Sequence, residues 1–141
     1  MFMFIRSAVL VLMLVPSIGQ AQSIDKGFAA IEADDYATAL KEWLPLAEQG
    51  GNSQLQYLVG QLYYVGGNGV LRNYNEARKW FLPAAEVGNV DAQFYLGLTY
   101  AQGAPQDYVL AHMWVNIANA RRQKDAASYL GRLESRMTAD E

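Results

Sequence analysis

A repeated pattern of aromatic and small residues is the feature that most constrains how this chain can fold. A tyrosine followed by an alanine three residues later occurs at Tyr36/Ala39, Tyr74/Ala77 and Tyr108/Ala111. A second pattern runs from Asp91 to Gly97, returns from Asp125 to Gly131 and has a weaker copy from Leu55 to Gly60. Self-similarity at intervals of roughly 20–50 residues indicates structural units that stack on one another.

Both patterns have the spacing of amphipathic helices. Ala92, Leu96 and Tyr100 fall four residues apart and therefore share one helix face. Candidate N-caps are Asn52, Ser53, Asn73 and Asp107, and candidate helix-ending glycines are Gly50 and Gly88. The predicted helices span about 24–33, 36–49, 53–65, 74–87, 91–101, 107–121 and 125–136. Because one unit cannot bury its apolar face alone, the units must stack into an α-solenoid.

Glycines recur at one fixed place within the first type of predicted helix, at Gly60, Gly97 and Gly131. A glycine inside a helix costs about 0.5–1 kcal/mol relative to alanine. The return of this costly residue at the same place predicts that a neighbouring helix packs too close there for a side chain.

Tryptophans occur at Trp43, Trp80 and Trp114, within the second type of predicted helix. Trp43 aligns with Phe81 rather than with Trp80, so the large aromatic residue of the first copy stands one position later. Tryptophan could stack on a sugar or a base, but its place inside the repeat favours a core position. We accordingly expect Trp80→Ala to lower the free energy of unfolding by about 3–5 kcal/mol.

The N-terminus has the order of segments that is typical of a secretory signal peptide. Met1–Arg6 carries one positive charge, Ala8–Val15 is apolar, and small residues precede a cleavage site between Ala21 and Gln22. A membrane anchor is the alternative interpretation. The apolar stretch is shorter than the ~20 residues that a spanning helix needs, so a cleaved leader is favoured.

Cleavage would divide the chain into a leader, residues 1–21, and one mature domain, residues 22–141. The mature domain would be periplasmic or secreted, with no stable membrane insertion. The chain contains no cysteine, so its stability must come from packing rather than from disulfides. Loss of Arg6 with the leader lowers the formal net charge from −3 to about −4, which argues against nucleic acid or an anionic membrane as the main partner.

The repeat resembles that of the Sel-one-like repeat (SLR) family, a relative of the tetratricopeptide repeat. One unit is matched by Gly60, Tyr63, Gly69-Val70, Asn73-Tyr74, Ala77, Trp80-Phe81, Ala84-Ala85 and Gly88, and a shortened one by Ala92, Leu96-Gly97, Tyr100, Gly103, Asp107-Tyr108, Ala111 and Trp114. The third unit lacks the glycine-glycine-valine loop, and Arg122 stands where a helix-ending glycine is expected. The resemblance implies an all-α fold, a right-handed α-solenoid of antiparallel helix pairs with about three units.

The resemblance also implies a class of function. SLR proteins are known mainly as binding scaffolds and adaptors, so the expected function is an exported, non-enzymatic scaffold that binds a protein or peptide in its concave groove. A cysteine-rich branch of the family gives one alternative, a cell-wall or β-lactam-acting enzyme, although this chain has no cysteine. A second alternative is a shortened solenoid subunit that assembles with another. The oligomeric state is left open.

No group of residues in the sequence has the spacing of a catalytic or metal site. His112 is the only histidine and has no Ser or Cys nucleophile in a recognised motif, which favours a surface role. The loop Gly66–Gly69 lacks the Gly-Lys-Ser/Thr of a phosphate loop and is predicted to need positive φ angles. Arg121, Arg122 and Lys124 form a basic cluster that a helix C-terminus favours, with an acidic partner as the alternative. The sequence predicts no catalytic residue, metal or cofactor.

The candidate binding surface is the side of the first helix type that lines the concave face in such solenoids. If Ala92, Leu96 and Tyr100 face the stack, five other side chains should point outward. These are Tyr57, Gln61, Tyr64, Phe94 and Leu98. Exposed aromatic residues at matching positions of adjacent units would form a peptide-binding groove. The alternative is that these side chains pack against neighbouring helices.

Overall fold

A computed structural model describes residues 17–139 of the chain. Within this range the chain forms seven helices, which are α1 Ile18–Glu32, α2 Tyr36–Glu48, α3 Ser53–Val65, α4 Tyr74–Glu86, α5 Val90–Gln102, α6 Tyr108–Ala120 and α7 Ala126–Met137. The predicted all-α solenoid is thereby confirmed. None of the seven helices is both long and apolar enough to cross a membrane.

The observed helices agree closely with the predicted ones except at α1. This helix was predicted to begin near residue 24 but begins at Ile18, where the Gln20 side chain accepts a hydrogen bond from the Ser17 backbone N–H at 3.1 Å. The first turn of α1 therefore includes the last residues of the predicted leader. The rest of that leader lies outside the described residues.

The helices alternate between two types along the stack. The first-type helices are α1, α3, α5 and α7, and the second-type helices are α2, α4 and α6. Each helix packs mainly on its neighbours in the chain, which is the arrangement of a solenoid.

Side-chain caps fix where most of these helices begin. The side chains of Asp35, Asn52, Asn73, Asn89 and Asp107 each accept a hydrogen bond from a backbone N–H in the first turn of the following helix. Such a cap satisfies a donor that the helix itself leaves unpaired. The caps predicted at Asn52, Asn73 and Asp107 are confirmed.

The residues that end the second-type helices share one backbone conformation. Gly50, Gly88 and Arg122 have φ angles of 75°, 95° and 63°, respectively. Glycine adopts this left-handed region without steric cost, whereas a residue with a Cβ is strained there. Arg122 therefore keeps the geometry of the repeat although it lacks the expected glycine.

A glycine in each of the first three first-type helices lies against a large side chain of the following second-type helix. The pairs are Gly27 with Trp43, Gly60 with Phe81, and Gly97 with Val115. A Cβ atom added to Gly60 would lie 2.6 Å from the Phe81 ring, which is closer than such atoms can approach. The predicted close approach is confirmed at Gly60 and Gly97.

The same prediction is wrong at Gly131. An added Cβ atom at this glycine would have no neighbour within 4 Å. The physical reason is position, because α7 is the last first-type helix among the described residues and no second-type helix lies against it there. Gly131 therefore keeps its place in the repeat pattern without the close helix contact that Gly60 and Gly97 make.

The prediction of core tryptophans holds for only one of the three. Trp43 is 1% exposed, and the residues that take its place in later units are Phe81 and Val115, both fully buried. Trp80 and Trp114 are only half-buried. Each packs against the hydrophobic cluster of the preceding unit, so these two side chains connect units rather than fill their cores.

A candidate binding cavity between α1 and α3

The structure separates the five predicted groove residues into two groups. Phe94 and Leu98 are 5% and 6% exposed, so the expectation that they point outward is wrong. Both belong to a cluster formed with α7, in which the Phe94 and Tyr129 rings meet edge to face at 6.0 Å. The α7 helix covers this side of α5. Tyr57, Gln61 and Tyr64 on α3 are half-buried.

Tyr64 occupies the space between α3 and α5. Its ring lies 5.2 Å from that of Tyr95, and its hydroxyl donates a hydrogen bond to Gln102 Oε1 at 2.9 Å. Burial raises the pKa of Tyr64 to about 12, although the hydrogen bond with Gln102 acts in the opposite direction. Tyr64 and Tyr95 together close the gap between these two first-type helices.

The corresponding gap between α1 and α3 is not closed in this way. Counted from the glycine of each first-type helix, Ile31 takes the place of Tyr64, and Leu58 takes the place of Tyr95. Both replacements are smaller and aliphatic. Two tyrosine rings are therefore missing from this gap, and a cavity lies in their place.

The cavity between α1 and α3, hereafter the α1–α3 cavity, has a volume of about 230 Å³. Its lining residues come from the first three helices and are Phe28, Ile31, Tyr36, Trp43, Tyr57, Leu58, Gln61, Leu62 and Val65. Phe28 and Val65 are large apolar side chains that remain 46% and 47% exposed. Trp43 is anchored by donation from its Nε1 to the Ile24 carbonyl oxygen at 3.2 Å.

Two polar side chains of α3 belong to this largely apolar lining, to which α2 adds Tyr36. Gln61 has a buried Nε2 atom that finds no hydrogen-bond partner among residues 17–139. Tyr57 packs its ring 6.0 Å from Phe81 and 6.0 Å from Tyr95. Burial, followed by repulsion from Tyr95 and Asp91, raises the pKa of Tyr57 strongly, so its hydroxyl stays protonated even at alkaline pH where a free tyrosine ionises.

The side chains that line this cavity are apolar or polar without charge. None of the lining residues is charged, and none is a histidine, serine or threonine. His112 lies instead at the interface of α6 and α7, with its Nε2 3.0 Å from Glu134 Oε1. Among residues 17–139, no three His, Asp or Glu side chains are grouped as a metal site would require.

Sequence reasoning found Tyr57 and Gln61 but missed the residues that α1 contributes. Phe28 and Ile31 lie in the unit that matches the repeat least well, so no pattern drew attention to them. The available signal was the packed glycine. Counting from Gly27 places Phe28 at the position of Gln61 and Ile31 at that of Tyr64. The replacement of a tyrosine by Ile31 shows that aromatic volume is lost from the gap between α1 and α3.

Comparison with known proteins agrees with this architecture. The Sel1 repeat pattern matches residues 53–89, which contain α3 and α4, and residues 90–120, which contain α5 and α6. The chain contains Sel1 repeats. Proteins built from such repeats are generally protein-interaction scaffolds and are typically non-enzymatic. The α1–α3 cavity joins the first matched Sel1 repeat to the helix pair that precedes it.

Two solved structures share the fold. A Sel1 repeat protein from Oxalobacter formigenes superposes with a TM-score of 0.64 at 26% identity, over 80% of this chain and 88% of that one. The c5321 protein, a protective antigen present in uropathogenic Escherichia coli strains, superposes with a TM-score of 0.70 at 30% identity, over 80% of this chain and 25% of that one.

A curated relative is a much larger plant protein. The chain is 39% identical over 56 residues to HRD3A of Arabidopsis thaliana, an ERAD-associated E3 ubiquitin-protein ligase component. The match covers 40% of this chain but 8% of the relative. The shared region is thus a short part of a longer protein.

Proposed function

We propose that this chain is an exported, non-enzymatic interaction module that binds a protein or peptide segment on its concave face. The observation that carries the proposal is the α1–α3 cavity, whose rim exposes Phe28 and Val65. Apolar pockets with exposed aromatic rims are a common feature of protein-binding surfaces. The general role of Sel1 repeats as scaffolds supports the same function.

Export is supported by the N-terminal sequence and is compatible with the site. The predicted cut between Ala21 and Gln22 would fall inside α1 and would remove its first turn. The cavity residues of α1, Phe28 and Ile31, lie beyond the cut. Ser23 would then stand where an N-cap is needed, so the shortened helix keeps a favourable start.

The alternative of a shortened subunit that stacks end to end is supported by α6 but not by α7. The outer side of α7 carries Ser128, Arg132, Ser135 and Arg136, all of them exposed. A polar outer face is what a solenoid needs where its last helix meets water. A stacking interface would instead expose apolar side chains, as the adjoining helix α6 does at Val109, Met113 and Ile117.

Site-specific photo-crosslinking tests the proposed function. A photoreactive residue at Val65 should capture a discrete protein in the compartment where the chain resides, because Val65 borders the cavity. The matched control is the same residue at Lys41, which is exposed on α2. The captured protein is then purified, and its binding is measured directly. Equal crosslinking from both positions, or no binding between the purified components, would contradict a concave binding site.

A further inference from the structure

We propose that the α1–α3 cavity binds one uncharged, apolar side chain of a peptide, and that Gln61 Nε2 donates a hydrogen bond to a carbonyl oxygen of that peptide. The inference rests on the proposed function and specifies the chemistry of the segment that is bound. Three properties of the cavity lead to it: its volume, the absence of charge in its lining, and the unpaired amide of Gln61.

The volume fits a single side chain. Pockets for whole small-molecule ligands span roughly 300–1,000 Å³, whereas this cavity measures about 230 Å³. It corresponds in position to the space that Tyr64 and Tyr95 fill in the gap between α3 and α5. An aromatic or large aliphatic side chain is therefore the expected occupant, and its contact with the exposed parts of Phe28 and Val65 would remove apolar surface from water.

The lining excludes a charged side chain. All nine residues around the cavity are neutral, and transfer of an unpaired charge into such surroundings is strongly unfavourable. The adjoining helix α3 has no charged residue along its whole length. A peptide segment that is neutral around its anchoring residue is thus favoured over an acidic or basic one.

Gln61 supplies the polar part of recognition. A buried donor without an acceptor is unfavourable in the free protein, and a ligand that provides the acceptor removes that penalty. Every peptide residue carries a carbonyl oxygen beside its side chain. One peptide residue can therefore place an apolar group in the cavity and, once the Gln61 side chain turns its enclosed Nε2 toward the cavity, an acceptor at that atom.

Three small probes separate these contributions. N-acetyl-phenylalanine methylamide carries both an aromatic ring and carbonyl groups, N-acetyl-glycine methylamide lacks the ring, and toluene lacks the carbonyl. Titration of the purified protein is followed by NMR. The phenylalanine probe should cause saturable shifts at Phe28, Val65 and the Gln61 side-chain amide. The glycine probe should bind at least about tenfold more weakly, since it cannot displace water from the apolar walls.

Two variants locate the binding. Leu58→Tyr restores the residue type that closes the next gap and should abolish the shifts caused by the phenylalanine probe and by toluene. Gln61→Leu should lower the affinity for the phenylalanine probe roughly threefold to tenfold and leave the affinity for toluene unchanged. The same variant should raise the melting temperature, because it removes the unpaired donor. A purely structural glutamine would not show this opposition between binding and stability.

Several outcomes would overturn the inference. They are an absence of saturable shifts, equal binding to Leu58→Tyr when circular dichroism shows it folded, or equal affinity of Gln61→Leu for the phenylalanine probe. Should Leu58→Tyr misfold, Ile31→Tyr offers a second way to fill the cavity. Crosslinking from Val65 that survives in Leu58→Tyr would retain the proposed function but reject the cavity as its anchor. Probe binding without any captured partner would retain the cavity as a binding site but reject the proposed function.

Discussion

At the scale of single residues, the packed glycines determine how closely the two helix types approach. Gly97 has both the Val115 side chain and the Ala111 carbonyl oxygen against it. The backbone of α6 therefore lies where a Cβ atom would be, and it cannot move aside as a flexible side chain could. Gly131 occupies the same place in the pattern but faces no such neighbour.

This contrast predicts opposite effects for one substitution at two matched positions. Gly97→Ala should lower the free energy of unfolding by about 1–3 kcal/mol, because the new methyl group overlaps α6. Gly131→Ala should raise it by about 0.5–1 kcal/mol, because alanine favours the helix and meets nothing. Urea denaturation measures both. Destabilisation by Gly131→Ala would mean that a neighbour covers this glycine in solution.

A second residue-scale prediction concerns alkaline pH. The pKa of Tyr64 is raised to about 12 in the folded chain, whereas an unfolded tyrosine titrates near pH 10. Above about pH 10 the unfolded state binds fewer protons than the folded state, so stability should fall as the pH rises toward 12. Below about pH 10 the contribution is fully present. Tyr57, whose pKa is also raised by burial, adds to the effect.

Urea midpoints at pH 8 and pH 11 check this expectation. The midpoint should be lower at pH 11, and Tyr64→Phe should lessen the difference because the titrating hydroxyl is gone. Because the pKa values of Tyr57 and Tyr63 are also raised by burial, the variant is the necessary comparison. An unchanged difference in Tyr64→Phe would show that this hydroxyl does not control the alkaline loss of stability.

At the scale of helices, local sequence signals predicted where the helices begin and end but not which of their side chains face a neighbouring helix. Caps such as Asn73 and Asp107 act within one helical turn, so the sequence shows them directly. The burial of Phe94 and Leu98 depends on α7, which comes much later in the chain. The α1–α3 cavity depends on Ile31 and Leu58 together, a pair that becomes visible only when two helices are placed side by side.

Adjacent aromatic residues on α4 give a prediction at this scale. Phe81 is fully buried against Gly60, whereas Trp80 is half-buried against the cluster of the preceding unit. Phe81→Ala should therefore cost about 3–5 kcal/mol. Trp80→Ala should cost less than the sequence alone indicated, about 1–3 kcal/mol, since less of its surface leaves water on folding.

The two variants should also differ in cooperativity. Loss of Trp80 weakens a contact between units, so the first unit should begin to unfold separately and broaden the transition. Loss of Phe81 weakens the unit itself and should shift the transition without broadening it. Chemical denaturation followed by both circular dichroism and tryptophan fluorescence distinguishes these results. A larger cost for Trp80→Ala than for Phe81→Ala would contradict the assignment of Phe81 to the core.

At the scale of the whole molecule, the chain behaves as a stack with two unlike ends. At one end, α7 rests on α5 and α6 through Leu130 and Leu133, and its outer side is polar. At the other end, α1 rests mainly on α2, and the α1–α3 cavity separates it from the next first-type helix. Stability in such a stack is roughly the sum of each unit and its contacts with adjacent units.

This asymmetry predicts the order in which the stack opens. Interior amides of α1 should exchange with solvent fastest among the seven helices, those of α3 to α6 slowest, and those of α7 at intermediate rates. Leu58→Tyr should slow exchange in α1 by filling the cavity, while α7, at the far end, serves as the internal control and should not change. Native-state hydrogen exchange measures all of these rates in one experiment. If α1 exchanged as slowly as α4, or if Leu58→Tyr left α1 unaffected, the cavity would not be the weak point of the stack.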